Sequence, residues 1–365
     1  MTTEDPGASP AAPEPAAPAQ SALSAASAAT SGAAAVTAPS KGRGLSIPET
    51  GALLVVLVAL FVYFSIASEF FLNSENLINI LQNVAVVGII ACPATLLLIA
   101  GQFDLSVGSA VGFAGMLMAV AALTPGTGGV DLPLAMNMTV PSAFVIAVIG
   151  TLVVGVINAF CVTVIGINAL ITTLGTLAIF RGLTKVLGDG QTIRIENFGQ
   201  LGVLRIAGIP LPVYIFAAIV IAFWFVLRYT VYGRSLYAIG ASPSAARLAG
   251  IRTKRVIFIA FLLSALCVAL AGLIRLSQVQ VASVNSGLGI ELSVVTAVVL
   301  GGASLSGGRG GIGGTVLAVL IVGVLGNGLI LLNVPSFWIE VANGLLLLGA
   351  VSVDRLRVRL TRADI

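Results

Sequence analysis

Histidine is absent from all 365 residues. That excludes imidazole general bases and histidine metal sites, and it leaves no side chain whose unperturbed pKa lies near neutrality. Charge is also scarce. Lys, Arg, Asp and Glu together make up 9% of the chain, against roughly a quarter of an ordinary soluble domain. Only three cysteines occur, Cys92, Cys161 and Cys267. All three sit inside apolar runs without metal-type spacing, where a thiol behaves as a small hydrophobe. No metal and no cofactor is expected.

What is present is overwhelmingly apolar: 58% of the residues are hydrophobic and the mean hydropathy is +1.10. Water cannot be the solvent for most of such a surface. Apolar runs recur at 51–67, 84–100, 105–123, 143–165, 169–187, 211–227, 256–276, 292–305, 312–332 and 337–353. Most approach the roughly 20 residues a spanning helix needs. They lack the alternation of barrel strands, and outside a closed barrel only helices satisfy their own backbone in lipid. The sequence therefore predicts an all-α, polytopic integral membrane protein of about ten transmembrane helices. At Gly101-Gln102 two runs meet almost without a loop, so one broken or re-entrant helix competes there with two spans.

Residues 1–44 are dominated by Ala, Pro, Ser and Thr and predict a disordered tail. Neither a basic start nor a leucine-like core is present, so the tail is expected to stay attached. A transmembrane domain follows over 45–356, then a short basic tail over 357–365. Basic residues test the span count, because Lys and Arg collect on the cytoplasmic side of short loops. With ten spans and the amino terminus inside, thirteen of the 18 basic residues are cytoplasmic. Lys41 and Arg43 precede the first span, six lie over 228–255, Arg309 stands alone, and Arg355, Arg357, Arg359 and Arg362 close the chain. Five lie outside: Arg181, Lys185, Arg194, Arg205 and Arg275. Both termini are accordingly expected in the cytoplasm. The net charge of +4 is scattered over loops instead of gathered in a stripe, which argues against nucleic acid as a partner.

The longest cytoplasmic segment, 229–255, is more than a linker. Ser242 can cap a short helix with Pro243 at its first position, Ala245, Ala246, Leu248 and Ala249 extend it, and Gly250 can stop it. Such a helix offers small residues for close docking and an Arg for a polar contact. Two readings stand: a knob for a groove on a cytoplasmic partner, or a surface helix on lipid headgroups.

Here the sequence resembles the permease subunits of ATP-binding cassette importers for sugars, the ribose, xylose and galactose branch. Four elements in the family's order carry the resemblance. Gly101-Gln-Phe-Asp-Leu-Ser-Val-Gly-Ser comes first, then Ile171-Thr-Thr-Leu-Gly-Thr with Arg181-Gly-Leu. Gly233-Arg234 and Tyr237-Ala-Ile-Gly lead to Ala245-Ala-Arg-Leu-Ala-Gly-Ile. Gly301-Gly-Ala-Ser-Leu-Ser-Gly-Gly-Arg-Gly leads to Gly314-Thr and Gly326-Asn-Gly-Leu. The resemblance implies that the segment is a coupling helix docking into an ATPase subunit, with Ala245, Ala246, Arg247 and Gly250 in that role and Gly233, Arg234 and Tyr237 leading into it. It also implies three protein partners: a cytoplasmic cassette ATPase, a second permease copy or homologue, and an extracytoplasmic sugar-binding protein. Membrane lipid surrounds the whole, in the cytoplasmic membrane of a bacterium. Ser244 stands where the family usually has an acidic residue, and Asn168-Ala169 where prolines often start the fifth run.

The chain itself is not expected to be an enzyme. Gly308-Arg-Gly-Gly-Ile-Gly satisfies the dinucleotide spacing and 308–315 nearly satisfies a phosphate-binding loop, but no strand precedes it and Gly314 occupies the place of the essential Lys. The glycines suit a tight turn followed by close helix packing.

Asp104 is the acid nearest the membrane interior. Such a carboxylate usually marks function. It also falls where it can cap the next helix, so a gate and a cap both remain open. Ser106, Asn158, Asn168, Thr172, Thr173, Asn327 and Asn343 are neutral hydrogen-bonding groups of the type a passage for a hydroxylated solute needs, and equally the type that bonds one helix to another. Arg181 and Lys185 are placed to snorkel to headgroups or meet an acidic patch on a binding protein. The rivals to the importer are an ion-coupled secondary transporter with Asp104 as its cation site, and a non-transporting scaffold.

Overall fold

The computed structural model describes residues 49–124, 132, 134–195 and 198–363. The expected disordered tail, 1–44, lies outside them. The protein is all-α and polytopic. Among the described residues, six helices are long and apolar enough to cross a membrane: α2 (Ser74–Ile99), α4 (Val140–Phe160, continued by a π turn to Ile165), α5 (Ala169–Leu187), α7 (Leu211–Tyr229), α10 (Thr253–Val279) and α12 (Ile312–Leu331). Four more are apolar but shorter or only partly apolar: α1 (Glu49–Ala67), α3 (Val107–Ala122), α11 (Ile290–Leu300) and α13 (Ser336–Ala363). The remaining helices, α6 (Gln200–Val203), α8 (Val231–Ala241) and α9 (Pro243–Leu248), belong to the connections.

Local chemistry explains most boundaries. Asn73 accepts the Glu75 N–H and Asn168 accepts the Leu170 N–H, so each opens its helix as a side-chain cap. Pro141 and Pro212 stand in the first turns of α4 and α7, where a missing N–H costs nothing. α4 ends through its π turn at Gly166, whose φ of 89° is a left-handed value that favours glycine.

α2 and α10 form the hub. α10 packs against α2, α3 and α4, while α2 also receives α7, α11 and α12. Their central side chains, including Ile89, Ile90, Leu96, Phe261, Leu273 and Ile274, are wholly buried. α7 is the opposite case: of its side chains only Pro212, Phe223 and Leu227 are buried, which fits a helix facing lipid on most of its circumference.

Two boundaries differ from the sequence reading, and one open junction is decided. α2 begins at Ser74, ten residues before the apolar run at 84, because its first turns carry Asn, Glu and Gln yet are capped by Asn73. The Gly101-Gln102 junction separates two helices: the Gly101 N–H reaches the Leu98 carbonyl, the Gln102 N–H reaches that of Leu97, and α3 starts only at Val107. The run at 292–305 yields a helix that stops at Leu300. At 1.5 Å per residue its 11 residues extend about 16 Å, half the hydrocarbon core. Irregular backbone takes over from Gly301, which protein burial permits at membrane depth. The carboxyl-terminal boundary drawn at 356 falls inside α13.

Candidate functional site

The sequence-predicted polar residues divide into a connected group and several separate ones. Asp104 lies half-buried in the turn between α2 and α3. One of its carboxylate oxygens accepts the Ser106 N–H at 3.0 Å and the Ser106 hydroxyl at 2.6 Å, while the other accepts the Ser264 hydroxyl from α10 at 3.2 Å. The Ser106 oxygen in turn accepts the Asn158 amide from α4 at 2.8 Å, and the Asn158 carbonyl accepts the Thr176 hydroxyl from α5 at 2.8 Å. Ser106, Asn158, Thr176 and Ser264 are all buried. A continuous chain Ser264–Asp104–Ser106–Asn158–Thr176 thus ties α10, α4 and α5 to the start of α3. Each member satisfies another, which is how polar groups persist in an apolar interior. Asp104 serves its turn and the tertiary chain at once.

The other candidates stand apart. Asn168 caps α5 and is exposed. Thr173 donates to the Ala169 carbonyl of its own helix. Thr172 is buried with its hydroxyl unpartnered. Asn327 exchanges hydrogen bonds with Asn76 of α2 at 2.8 and 3.1 Å, and Asn343 donates to Ser293 at 3.3 Å. Those pairs join helices. Sequence reasoning missed Ser264 and Thr176. The available signal for Thr176 was its spacing from Thr172 and Thr173 on one helical face, whereas Ser264 is a lone hydroxyl in an apolar run.

Arg181, expected at headgroups or at a binding protein's acidic patch, has an acidic partner within the chain. It donates to Glu291 at the start of α11 at 3.2 Å, with side-chain exposures of 29% and 12%. The second Glu291 oxygen is buried without a partner. A Cβ at Gly108 would lie 1.8 Å from it and 2.6 Å from the Gly287 carbonyl oxygen, and the fixed backbone contact is what demands glycine where α3 passes this carboxylate. A second pair, Arg205 with Glu75, is bidentate at 3.0 and 2.9 Å but exposed.

The 229–255 segment contains two helices. Thr230 caps α8 by accepting the Gly233 N–H, and Ser242 caps α9 by accepting the Ala245 N–H at 3.3 Å with Pro243 in the first turn. Gly250 has a φ of 79°, and its N–H reaches back to the Arg247 carbonyl. Gly233, Leu236 and Ile239, on one face of α8, are buried. Gly233 lies directly on Val226 and Leu227. Tyr237 donates its hydroxyl to the Gly310 carbonyl at 2.8 Å. Burial pushes its pKa up, which keeps the phenol a donor. Ala246, given a docking role by the resemblance, is 3% exposed and packs inward within this chain. Gly233, Tyr237 and Ala246 therefore hold the segment in place. Arg234, Ala245, Arg247 and Gly250 are exposed, and Leu248, which the sequence reading gave no role beyond extending the helix, is 91% exposed. A bare leucine beside a buried alanine is an anchored helix presenting an apolar tip.

The class of protein follows. Residues 76–351 match the family of permease components of branched-chain amino acid transport systems, and the chain belongs to that family of membrane permeases. Among curated relatives, the chain is 36% identical to the ribose import permease protein RbsC of Escherichia coli (strain K12), over 82% of this chain and 92% of that one. It is 39% identical to the ribose import permease protein RbsC of Bacillus subtilis (strain 168), over 84% and 92%. It is 36% identical to the L-arabinose transport system permease protein AraH of Escherichia coli (strain K12), over 85% and 92%. No solved structure matches the chain.

Proposed function

We propose that this chain is the membrane permease subunit of an ATP-binding cassette importer for a sugar, residing in the cytoplasmic membrane of a bacterium. A pentose is the first substrate to test, because the relatives are named for ribose and L-arabinose. The six long and four shorter apolar helices support ten spans with both termini in the cytoplasm. The observation that carries the reading is the anchored α9 with its exposed Leu248 and Arg247, in a chain of this permease family. Burying a leucine tip in a groove contributes about 1.5 to 3 kcal/mol, enough to fix the register of a docking helix.

The power source is a separate cassette ATPase. The glycine run that mimics a phosphate loop has no Lys at Gly314, and its Gly308 N–H is already donated to the Ile99 carbonyl. An extracytoplasmic sugar-binding protein delivers substrate, and a second permease copy or homologue completes the pathway. Alternating access is driven from α8 and α9, while the hydroxyl and amide groups around Asp104 lie in or beside the passage of a neutral, hydroxylated solute.

The test is reconstitution in lipid vesicles. Uptake of labelled ribose or arabinose should require the cassette ATPase, the binding protein and ATP together. Uptake by the chain alone under a proton or sodium gradient would sink the importer and favour the ion-coupled rival.

A further inference from the structure

The turn between α11 and α12, residues 301–311, is fastened to the rest of the chain at points that docking alone does not use. The Gly308 N–H donates to the Ile99 carbonyl at the end of α2 at 2.8 Å. Tyr237 on α8 donates to the Gly310 carbonyl at 2.8 Å. Between these bonds the backbones touch. A Cβ at Gly240 would lie 1.8 Å from the Ile99 carbonyl oxygen and 2.3 Å from the Gly308 nitrogen, and one at Gly307 would lie 3.0 Å from the Gly240 Cα and 3.1 Å from the Gly101 Cα. The ends of α8 and α2 and the glycine turn therefore cross with no side chain between them. Gly311 and Gly313, in the same run, have nothing within 4 Å of a would-be Cβ, while Gly301 and Gly314 meet only each other's ends of the turn, 2.0 Å from a Cβ at Gly314 to the Gly301 carbonyl oxygen; the contact with α2 and α8 is therefore made by 307–310 alone.

Side chains can change rotamer and absorb a displacement, whereas backbone in direct contact cannot yield without moving as a unit. The α2 end held by this crossing leads through Gly101 to Asp104, three residues on, where the polar chain into α4, α5 and α10 begins.

We propose that Gly240, Gly308 and the Ile99 carbonyl form a backbone clasp that carries movement of the α8–α9 segment to the 99–106 turn and its Asp104 chain, with Gly240 as the positioning residue. The clasp rests on the reading of α8–α9 as the segment a cassette ATPase moves. It assigns work to the glycine turn and to Tyr237 that exposure and docking leave unexplained.

The decisive quantity is sugar taken up per ATP hydrolysed, measured in vesicles holding the variant permease, the cassette ATPase and the binding protein. Gly240→Ala should keep the cassette bound and hydrolysing ATP while the ratio falls about tenfold, the scale of a coupling free energy of 1 to 3 kcal/mol. Gly313→Ala should keep the wild-type ratio. Tyr237→Phe adds no atom and covers the case in which Gly240→Ala does not assemble; losing its one hydrogen bond should lower the ratio roughly threefold. A wild-type ratio in Tyr237→Phe and in any assembled Gly240→Ala would overturn the clasp, and so would losses of uptake and hydrolysis in equal proportion, which describe a passive brace. Leu248→Asp tests the underlying docking separately: if the cassette still binds that variant with wild-type affinity, the docking reading fails whatever the ratios show.

Discussion

Around Asp104, hydroxyls and an amide from α3, α4, α5 and α10 use up one another's hydrogen-bonding capacity. At α9, Arg247 and Leu248 stand outward. The first region is closed on itself and the second is left open, and the difference separates groups already bonded within the chain from groups left for a protein partner. A buried polar chain is costly to break because each removed member strands its neighbour. An exposed apolar tip costs the isolated chain little and acquires its value only when covered.

Substitutions can break this contrast. The largest effect is expected for Asp104→Leu, which strands the Ser106 N–H, the Ser106 hydroxyl and the Ser264 hydroxyl together. Thermal unfolding in detergent should show a loss of about 2 to 4 kcal/mol, and sugar uptake should fall with it. Asp104→Asn keeps an acceptor for Ser106 and should lose distinctly less; equal losses in the two variants would show that charge, not hydrogen bonding, holds the site. Leu248→Asp inverts the pattern. Stability should stay within about 0.5 kcal/mol of wild type, as for most surface changes, while co-purification of the cassette ATPase drops about tenfold or more.

The two ion pairs sharpen the comparison further. A double-mutant cycle on Arg181 and Glu291 should return a coupling of about 1 kcal/mol, toward the upper end of the range for accessible pairs because Glu291 is mostly covered. The Arg205 and Glu75 pair, open to solvent, should show a smaller coupling that vanishes first as salt is raised. The smallest effect belongs to Thr172→Val, which removes a buried hydroxyl that has no partner. Stability should be unchanged or slightly raised. A clear loss of uptake in that variant would mean that Thr172 meets the solute itself.

Much of this was legible in the residues. The apolar runs mark the helices that cross the membrane because the hydrocarbon requirement is local: about 20 residues without charge suffice, whatever surrounds them. Ser242, Pro243 and Gly250 announce α9 for the same reason, since capping acts within one turn. The short α11 was misread because hydropathy does not register the backbone freedom of Gly301 and Gly302, and the early start of α2 because its polar first turns carry no apolar signal. Within the candidate site, Asp104, Ser106 and Asn158 were recognisable by type. Their joining through Ser264 and Thr176 was not, because those contacts span up to 160 residues of sequence.

By itself, then, the amino-acid sequence determined the solvent of this protein, the class of its folding units and the place of its exposed short helix, all consequences of chemistry confined to neighbouring residues. Only the tertiary structure decided that Ala246 turns inward while Leu248 turns out, that Arg181 finds Glu291, and that three glycine-bearing backbones meet at Gly240. Those outcomes depend on which faces of distant helices oppose one another, and packing, not composition, sets that.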